Sequence, residues 1–489
     1  MTNERPVDTI IHNAKIVSHD ATIDGAIGIR DGRIAFVTDG QDLPHAGNLI
    51  DAGGKHVIPG VIDPHTHPGV IGSFADDIRT ETRAAAAGGV TSWFATIKST
   101  KMDRNWKAYH DPEDAISYLE ACKTGVEIVE SESLIDIGFN LAIQGDRDAN
   151  EIPEIAAEFG VTSYKFYAGY RRANDFARSI GLPLPWDDGT LYIGFENIAR
   201  IGGLAMLHAE HADVNRVLTD RIKPTGRQDL AAWEERSPDY SEAFHISQYS
   251  HFALVLGTTL YIVHTSSKMG LEESNIWRAR GTSIVNETCP HYIILNKYSD
   301  PPGKWAKINT PIRLKSDNEA LWQGLANGTV ECMGSDHIPG EGFPDMWGPG
   351  HARMASTEHV LPLMLSEGVN RGRLTMEQLV AVTSYNTARR FGVYPRKGAI
   401  LPGSDADLVI VDLEREETIS TSNPKAFHSI APASIWEGRE VKGFPILTML
   451  RGRVIARDGE IVSEGGGEYL RRTPSKLEAA TDRKYPRTE

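Results

Sequence analysis

The segment Val57-Ile58-Pro59-Gly60-Val61-Ile62-Asp63-Pro64-His65-Thr66-His67 is an apolar, β-branched run that stops at two histidines two positions apart. Alternate residues of a strand face the same side, so both imidazoles can reach one ion. The pattern recurs along the chain. His208 follows Leu204-Ala205-Met206-Leu207, His264 follows Thr259-Leu260-Tyr261-Ile262-Val263, and Asp336 ends Glu331-Cys332-Met333-Gly334-Ser335. Each closes a short run of buried-strand type. Ligand-type residues at the carboxyl ends of successive strands constrain the fold, because parallel α/β architectures gather their chemistry at that edge. A lone pair of histidines at this spacing often means nothing; its recurrence makes coincidence the weaker account.

From about Val57 to Tyr394, strand-like runs alternate with helical stretches, which predicts a parallel sheet covered by helices. Asp76 to Ala87, Pro112 to Val129 and Glu151 to Phe159 read as helices, while Thr91 to Ile97, Leu134 to Ile143 and Val161 to Ala168 read as strands. Continued to a helix over Thr375 to Phe391, the rhythm fits eight βα units, a TIM-type (β/α)8 barrel within an α/β fold. Short β-rich runs with Asp31-Gly32 and Asp458-Gly459 turns occupy both chain ends. Residues 1–56 and 395–464 therefore read as two parts of one small β-sandwich domain, 57–394 as the barrel, and 465–489 as a tail that frays or docks on a neighbouring subunit. Arg171 to Gly189, Asp300 to Lys304 and Gly340 to Gly350 break the rhythm and are expected as loops over the barrel mouth.

The chain of 489 residues has 51 Lys+Arg against 66 Asp+Glu, a formal net charge of −15. That balance argues against a general nucleic-acid or anionic-membrane surface. Cys122, Cys289 and Cys332 are far apart and form no CxxC pair, so neither a disulfide framework nor a thiolate zinc site is indicated. The amino terminus has no basic region followed by an apolar stretch, and no window approaches the ~18 apolar residues of a membrane span. A cytoplasmic protein is expected.

Imidazole nitrogen and carboxylate oxygen suit Zn²⁺, with Mn²⁺, Co²⁺ or Ni²⁺ as substitutes. Lys165, in Ser163-Tyr164-Lys165-Phe166-Tyr167, is flanked by bulky residues inside a strand. Burial there lowers a lysine's pKa and leaves a nucleophilic amine; an exposed lysine making a salt bridge is the plainer reading for any single strand. Two metals sharing a water would need a bridging anion. A neutral amine bridges poorly, whereas a CO₂-derived carbamate on Lys165 has two oxygens and one negative charge.

Several segments together resemble the amidohydrolase superfamily, and within it the hydantoinase, dihydropyrimidinase and allantoinase group of cyclic amidases. They are Gly60 to His67, Tyr164-Lys165-Phe166, His208-Ala209-Glu210, Tyr261 to Ser267, Glu287-Thr288-Cys289-Pro290-His291-Tyr292, Gly334-Ser335-Asp336-His337, and Tyr394 to Leu408. The resemblance covers nearly the whole chain. It implies one metal held by His65, His67, Lys165 and Asp336, a second held by Lys165, His208 and His264, and a hydroxide bridging them. Asp336 would take the hydroxide's proton and pass it to the departing nitrogen. Tyr170 matches a tyrosine directed at the substrate carbonyl oxygen, and Asn309 a residue whose backbone contacts the cyclic imide or ureide. The resemblance also implies a homo-oligomer, a dimer or tetramer.

His211, His245, His251 and His351 lack the strand-end pattern and read as surface or packing residues; His291 and His337 read as neighbours that orient ligands. Phe74, Trp93, Phe94, Tyr167, Trp186 and Trp305 either shape an apolar pocket or belong to the core. Pro68-Gly69-Val70 after the first motif lacks the arginine of dihydroorotase-like enzymes and also departs from the hydantoinase and allantoinase patterns. The expected activity is opening of a small cyclic ureide or imide. Allantoinase-like and acyclic amidase or N-acyl amino acid hydrolase activities come next, then a non-catalytic assembly protein of the dihydropyrimidinase type, which retention of all six ligand residues opposes.

Overall fold

The computed structural model describes residues 6–40, 43–70, 72–103, 115–170, 187–298, 306–339, 346–348 and 356–473. Both chain ends build one sheet. Its first part contains β1 (Val7–Val17), β2 (Thr22–Arg30), β3 (Arg33–Thr38), β4 (Ala46–Asp51) and β5 (His56–Pro59). The runs Thr9 to Ile11 and Ala14 to Val17 form one strand, β1, with a bulge between them and Asn13 at φ 52°. The hairpin residues Asp31 and Gly32 adopt φ 51° and 74°, the left-handed turn that this dipeptide favours.

The chain leaves this sheet at Gly60, where a Cβ would lie 2.1 Å from Thr91 Oγ1. It then enters eight parallel strands: β6 (Val61–Thr66), β7 (Val90–Ile97), β8 (Asp136–Ala142), β9 (Ser163–Tyr167), β10 (Leu204–His208), β11 (Thr259–Ile262), β12 (Ile284–Thr288) and β13 (Cys332–Met333). They pair in sequence order. Closure comes from a parallel bridge between Thr66 and His337 and from His67 N–H donating to His337 O at 2.8 Å. This is the TIM-type barrel that the alternation implies. Ile62, Phe94, Leu204, Met206, Tyr261, Val263 and Val285 pack together inside it.

Helices cover the outside, and their ends follow local chemistry. Ser73 caps Phe74–Ala87 by accepting from Asp76 N–H, and Asp187 caps Asp188–Ile201, which Gly202 ends at φ 65°. The final helical stretch runs from Met376 to Arg390 and widens to a π-turn over Ala381–Tyr385. The chain then returns through β14 (Leu408–Ile419), β15 (Arg439–Leu450), β16 (Arg453–Arg457) and β17 (Glu460–Ile461), completing a nine-stranded sheet in which β14 pairs with β5.

The start of the expected C-terminal tail packs on its own chain, residues up to 473 lying across the floor of the barrel. Ile137 N–H donates to Glu468 O at 3.0 Å, and Leu470 N–H to Ile137 O at 2.8 Å. Arg472 inserts its guanidinium, donating to Ser163 Oγ at 2.7 Å and lying 4.8 Å from the Phe94 ring. Residues 474–489, Trp186, Trp305, His351 and most of the three expected mouth loops lie outside the described residues. Phe74, Trp93 and Phe94 belong to the core, at most 2% exposed. Among the described residues no helix is long and apolar enough to cross a membrane.

Candidate metal centre

The six ligand-type residues named from the sequence converge at the carboxyl-terminal mouth of the barrel. His65 comes from the end of β6, with His67 just beyond; Lys165 lies within β9, His208 ends β10, and His264 and Asp336 follow β11 and β13. His65 Nε2 is 3.0 Å from His67 Nε2, 3.4 Å from Asp336 Oδ1 and 2.8 Å from Lys165 Nζ. His67 Nε2 is 3.0 Å from Asp336 Oδ1. Ligands 2.0–2.1 Å from a tetrahedral ion are about 3.3 Å from one another, so this donor set has the dimensions of such a site. Beside it, His208 Nδ1 lies 2.8 Å from His264 Nε2.

Burial gives three of the imidazoles the protonation state that metal binding needs. It pushes His65 and His67 down to about 3 and His264 well below its ordinary value, leaving neutral rings with free lone pairs. Burial also lowers Lys165 to about 8. Burial alone would raise Asp336, but the surrounding imidazoles, His65 first, hold its carboxyl well below the usual carboxylate range. His264 and Asp336 both adopt left-handed backbone, φ 43° and 51°, a strain that clusters at functional sites.

Supporting residues that carried no role in the sequence reading aim these ligands. Glu287, on β12, faces His65 Nδ1 at 2.9 Å while accepting from His264 N–H at 3.0 Å and from the Tyr261 hydroxyl at 2.9 Å. Its hydrogen bond puts the proton on Nδ1 of His65 and leaves Nε2 to face the cluster. Glu210 does the same for His208, with Oε2 3.0 Å from Nε2. Burial opposes its ionisation, yet His208 and Arg236 bring it to about 2. Asp63 accepts from Ser335 N–H at 3.0 Å and Thr357 Oγ1 at 2.8 Å, tying the β6 and β13 ends together. Inward alternation on β12 and the spacing of Glu210 from His208 were the available signals.

Tyr170 closes the short turn after β9, its ring 4.9 Å from that of His208. Its hydroxyl hydrogen-bonds the Asn309 side chain, which also accepts from Arg236 Nη2. His67, Tyr167, Tyr170, Asn309 and Asp336 retain 4–9% exposure where most neighbours have none, so they line the remaining opening. His337 pairs with Glu81 at 2.9 Å. His291 is buried against Tyr292, its ring nitrogens without a hydrogen-bond partner among the described residues. His211 caps a helix and His251 packs on Trp277.

Comparison with known proteins places this arrangement in context. The chain is 31% identical to the L-hydantoinase of Paenarthrobacter aurescens over 482 residues, covering 95% of this chain and 98% of that one. It is 32% identical to the D-hydantoinase of Ralstonia pickettii over 488 residues, 96% and 100% of the two chains. A crystal structure of D-hydantoinase superposes with a TM-score of 0.84 at 31% identity, over 96% of this chain and 99% of that one. The sequence profile of the Amidohydrolase family matches residues 193–455. By sequence, barrel and mouth alike, the chain belongs to the amidohydrolase family.

Proposed function

We propose that this hydrolase opens the amide bond of a cyclic ureide or imide, as a hydantoinase or dihydropyrimidinase does. The observation that carries the reading is the gathering of His65, His67, His208 and His264, the ionised Asp336 carboxylate and the fully buried Lys165 at the barrel mouth. Family membership and these donors support divalent metal ions. His65, His67, Lys165 and Asp336 would hold one, and Lys165, His208 and His264 the other, with a carbamate on Lys165 shared between them and zinc the metal best suited to nitrogen and oxygen donors. When bound, such ions polarise the carbonyl and make water nucleophilic near neutral pH.

The chain's own groups handle the protons and the ring. Asp336, ionised and lining the opening, accepts the attacking water's proton and returns it to the departing ring nitrogen. The Tyr170 hydroxyl donates to the carbonyl oxygen as charge develops there, and Asn309, anchored by Arg236, aims that hydroxyl and offers its backbone to the ring. Turnover of hydantoin, dihydrouracil and allantoin by protein supplied with Zn²⁺ and bicarbonate tests the reading. Inactivity on every ring together with hydrolysis of N-acyl amino acids would overturn it. Allantoin stands second because an allantoinase of Solibacter usitatus is also a relative.

A homo-oligomer belongs to this proposal. Tyr240, Phe244 and Val255 on the helix Asp239–Leu256 and Met269 and Ile276 on Lys268–Ala279 are exposed apolar side chains on two packed helices, a surface suited to a second copy. Size-exclusion chromatography with light scattering checks it. Three buried, unpaired cysteines support the cytoplasm as the compartment.

A further inference from the structure

One buried amide fastens the strands beneath the ligand cluster. The β6–β7 ladder pairs Asp63 with Trp93 and next Thr66 with Ala95, so Pro64 and His65 face Phe94 alone, a bulge of one residue on β6. This bulge decides where His65 points. Ile62 packs inside the barrel, and strict alternation from there would turn His65 outward; the extra residue brings it back to the interior, where its Nε2 lies 3.0 Å from His67 Nε2. Asn140, wholly buried on β8, donates from Nδ2 to Pro64 O and to Phe94 O, each at 3.0 Å, and so holds one carbonyl from either side of the bulge. Its Oδ1 accepts from Ser163 Oγ on β9, two residues before Lys165 and on the same face of that strand. Ser163 Oγ accepts in turn from Arg472 Nη1 at 2.7 Å, while Arg472 Nη2 donates to Phe139 O. The cation sets the direction of the chain. A guanidinium can only donate, so the serine hydrogen goes to Asn140 Oδ1, and the amide keeps two N–H groups for the two carbonyls.

We propose that Asn140 is a positioning residue for the metal ligands His65 and Lys165, and that Arg472, carried in by the C-terminal segment, sets the direction in which its amide acts. This rests on the metal centre proposed above. Without Asn140 two buried carbonyls lose this donor, and the bulge can relax toward a regular ladder that turns His65 away from the site. Through Ser163 the same amide ties β9, and with it Lys165, to the strand that carries His65. The floor of the barrel thereby bears on the geometry of the mouth.

The test measures Zn²⁺ affinity by competition with a chelator in bicarbonate buffer, beside the melting temperature without added metal. Asn140→Asp keeps the acceptor for Ser163 and removes both N–H donors, and affinity should fall about 10- to 100-fold, the range for groups that orient metal ligands. Ser163→Ala and Arg472→Met cut the chain one and two links earlier. Each should weaken Zn²⁺ binding about 2- to 10-fold, one hydrogen bond's worth, and the double variant no more than the larger of the two, since both break one path. Ser163→Ala removes a single hydroxyl and carries the comparison if Asn140→Asp does not fold. Melting temperatures that fall while Zn²⁺ affinity stays the same would make the network a scaffold only and overturn this inference alone; additive losses for Ser163→Ala and Arg472→Met overturn the path through Arg472. Wild-type protein that binds no Zn²⁺ sinks the metal-centre reading and this inference with it.

Discussion

The two ends of the barrel each gather ionisable groups out of water, and they resolve the resulting charge in opposite ways. At the floor, Lys397 Nζ lies 2.6 Å from Asp136 and from Asp407 and 3.0 Å from Asp405. Arg451 adds a pair to Asp136 and Arg396 one to Asp405 at 2.8 Å. Three carboxylates meet three cations. Burial alone would depress Lys397, but Asp407, Asp136 and Asp405 outweigh it and hold the ammonium above its ordinary range. At the mouth, by contrast, imidazole and carboxylate donor atoms face one another, with Lys165 Nζ 2.8 Å from His65 Nε2. Among the described residues, the sets His65, His67, Asp336 and Asp136, Asp405, Asp407 each bring their potential ligand atoms within 4.8 Å of one another. Only the first leaves its lone pairs converging; in the second, protein ammonium and guanidinium groups already fill the role.

The largest effect expected from this contrast is at Lys165. Lys165→Ala should lose bound metal and activity together, activity falling to background, with partial rescue by short carboxylic acids and little change in melting temperature. Unchanged metal content by atomic emission would remove the bridging lysine from the proposed centre. Lys397→Met should do the reverse. It leaves the buried Asp407 carboxylate without its cation and should cost about 3–5 kcal/mol of stability in denaturant unfolding, while metal content per folded chain is kept. A stable Lys397→Met protein that loses its metal would erase the distinction between the two ends.

The mouth was far more legible in the sequence than the floor, for a physical reason. His65, His208, His264 and Asp336 each terminate an apolar strand, so a period-two pattern announces them locally. Asp136, Lys397, Asp405, Asp407 and Arg451 come from three segments far apart in the chain, and nothing in any one segment announces that their charges meet. Arg472 was hidden in the same way, since nothing in a polar tail signals a guanidinium inserted under Phe94. Glu287 lies between the two cases. Its strand was readable, but an acidic residue near a strand end resembles a solvated one until Tyr261, His65 and the His264 amide surround it. Asn309 was singled out only by resemblance, and the hydrogen bond of its side chain to Tyr170 depends on Arg236, from a different loop.

Glu287 gives the next, smaller effect. Glu287→Gln keeps the shape but weakens the hold on His65 Nδ1, and metal affinity measured by competition with a chelator should fall about 10- to 100-fold. An unchanged affinity would mean that the imidazole is aimed by packing alone.

The smallest effect compares histidines under opposite electrostatics. His65 and His67 are stripped of their protons by burial, whereas His428 faces an acceptor on each nitrogen: Nδ1 is 2.6 Å from Glu358 Oε1 and Nε2 is 2.9 Å from Gly459 O. Burial opposes protonation of His428, but the hydrogen bond and charge of Glu358 outweigh it and raise its pKa above the ordinary value. A histidine raised in the folded state contributes stability that is fully present below its unfolded pKa, about 6.5, and is lost as pH rises through the folded value. The melting temperature should therefore decline slightly from about pH 6.5 upward, and His428→Gln should lack that decline while being lower than wild type at pH 6. Because His428 joins Glu358 to the hairpin at Gly459, the slope reports the junction between sheet and barrel and should be indifferent to added metal. A slope that vanishes when the metal is chelated would instead assign it to the imidazoles of the mouth.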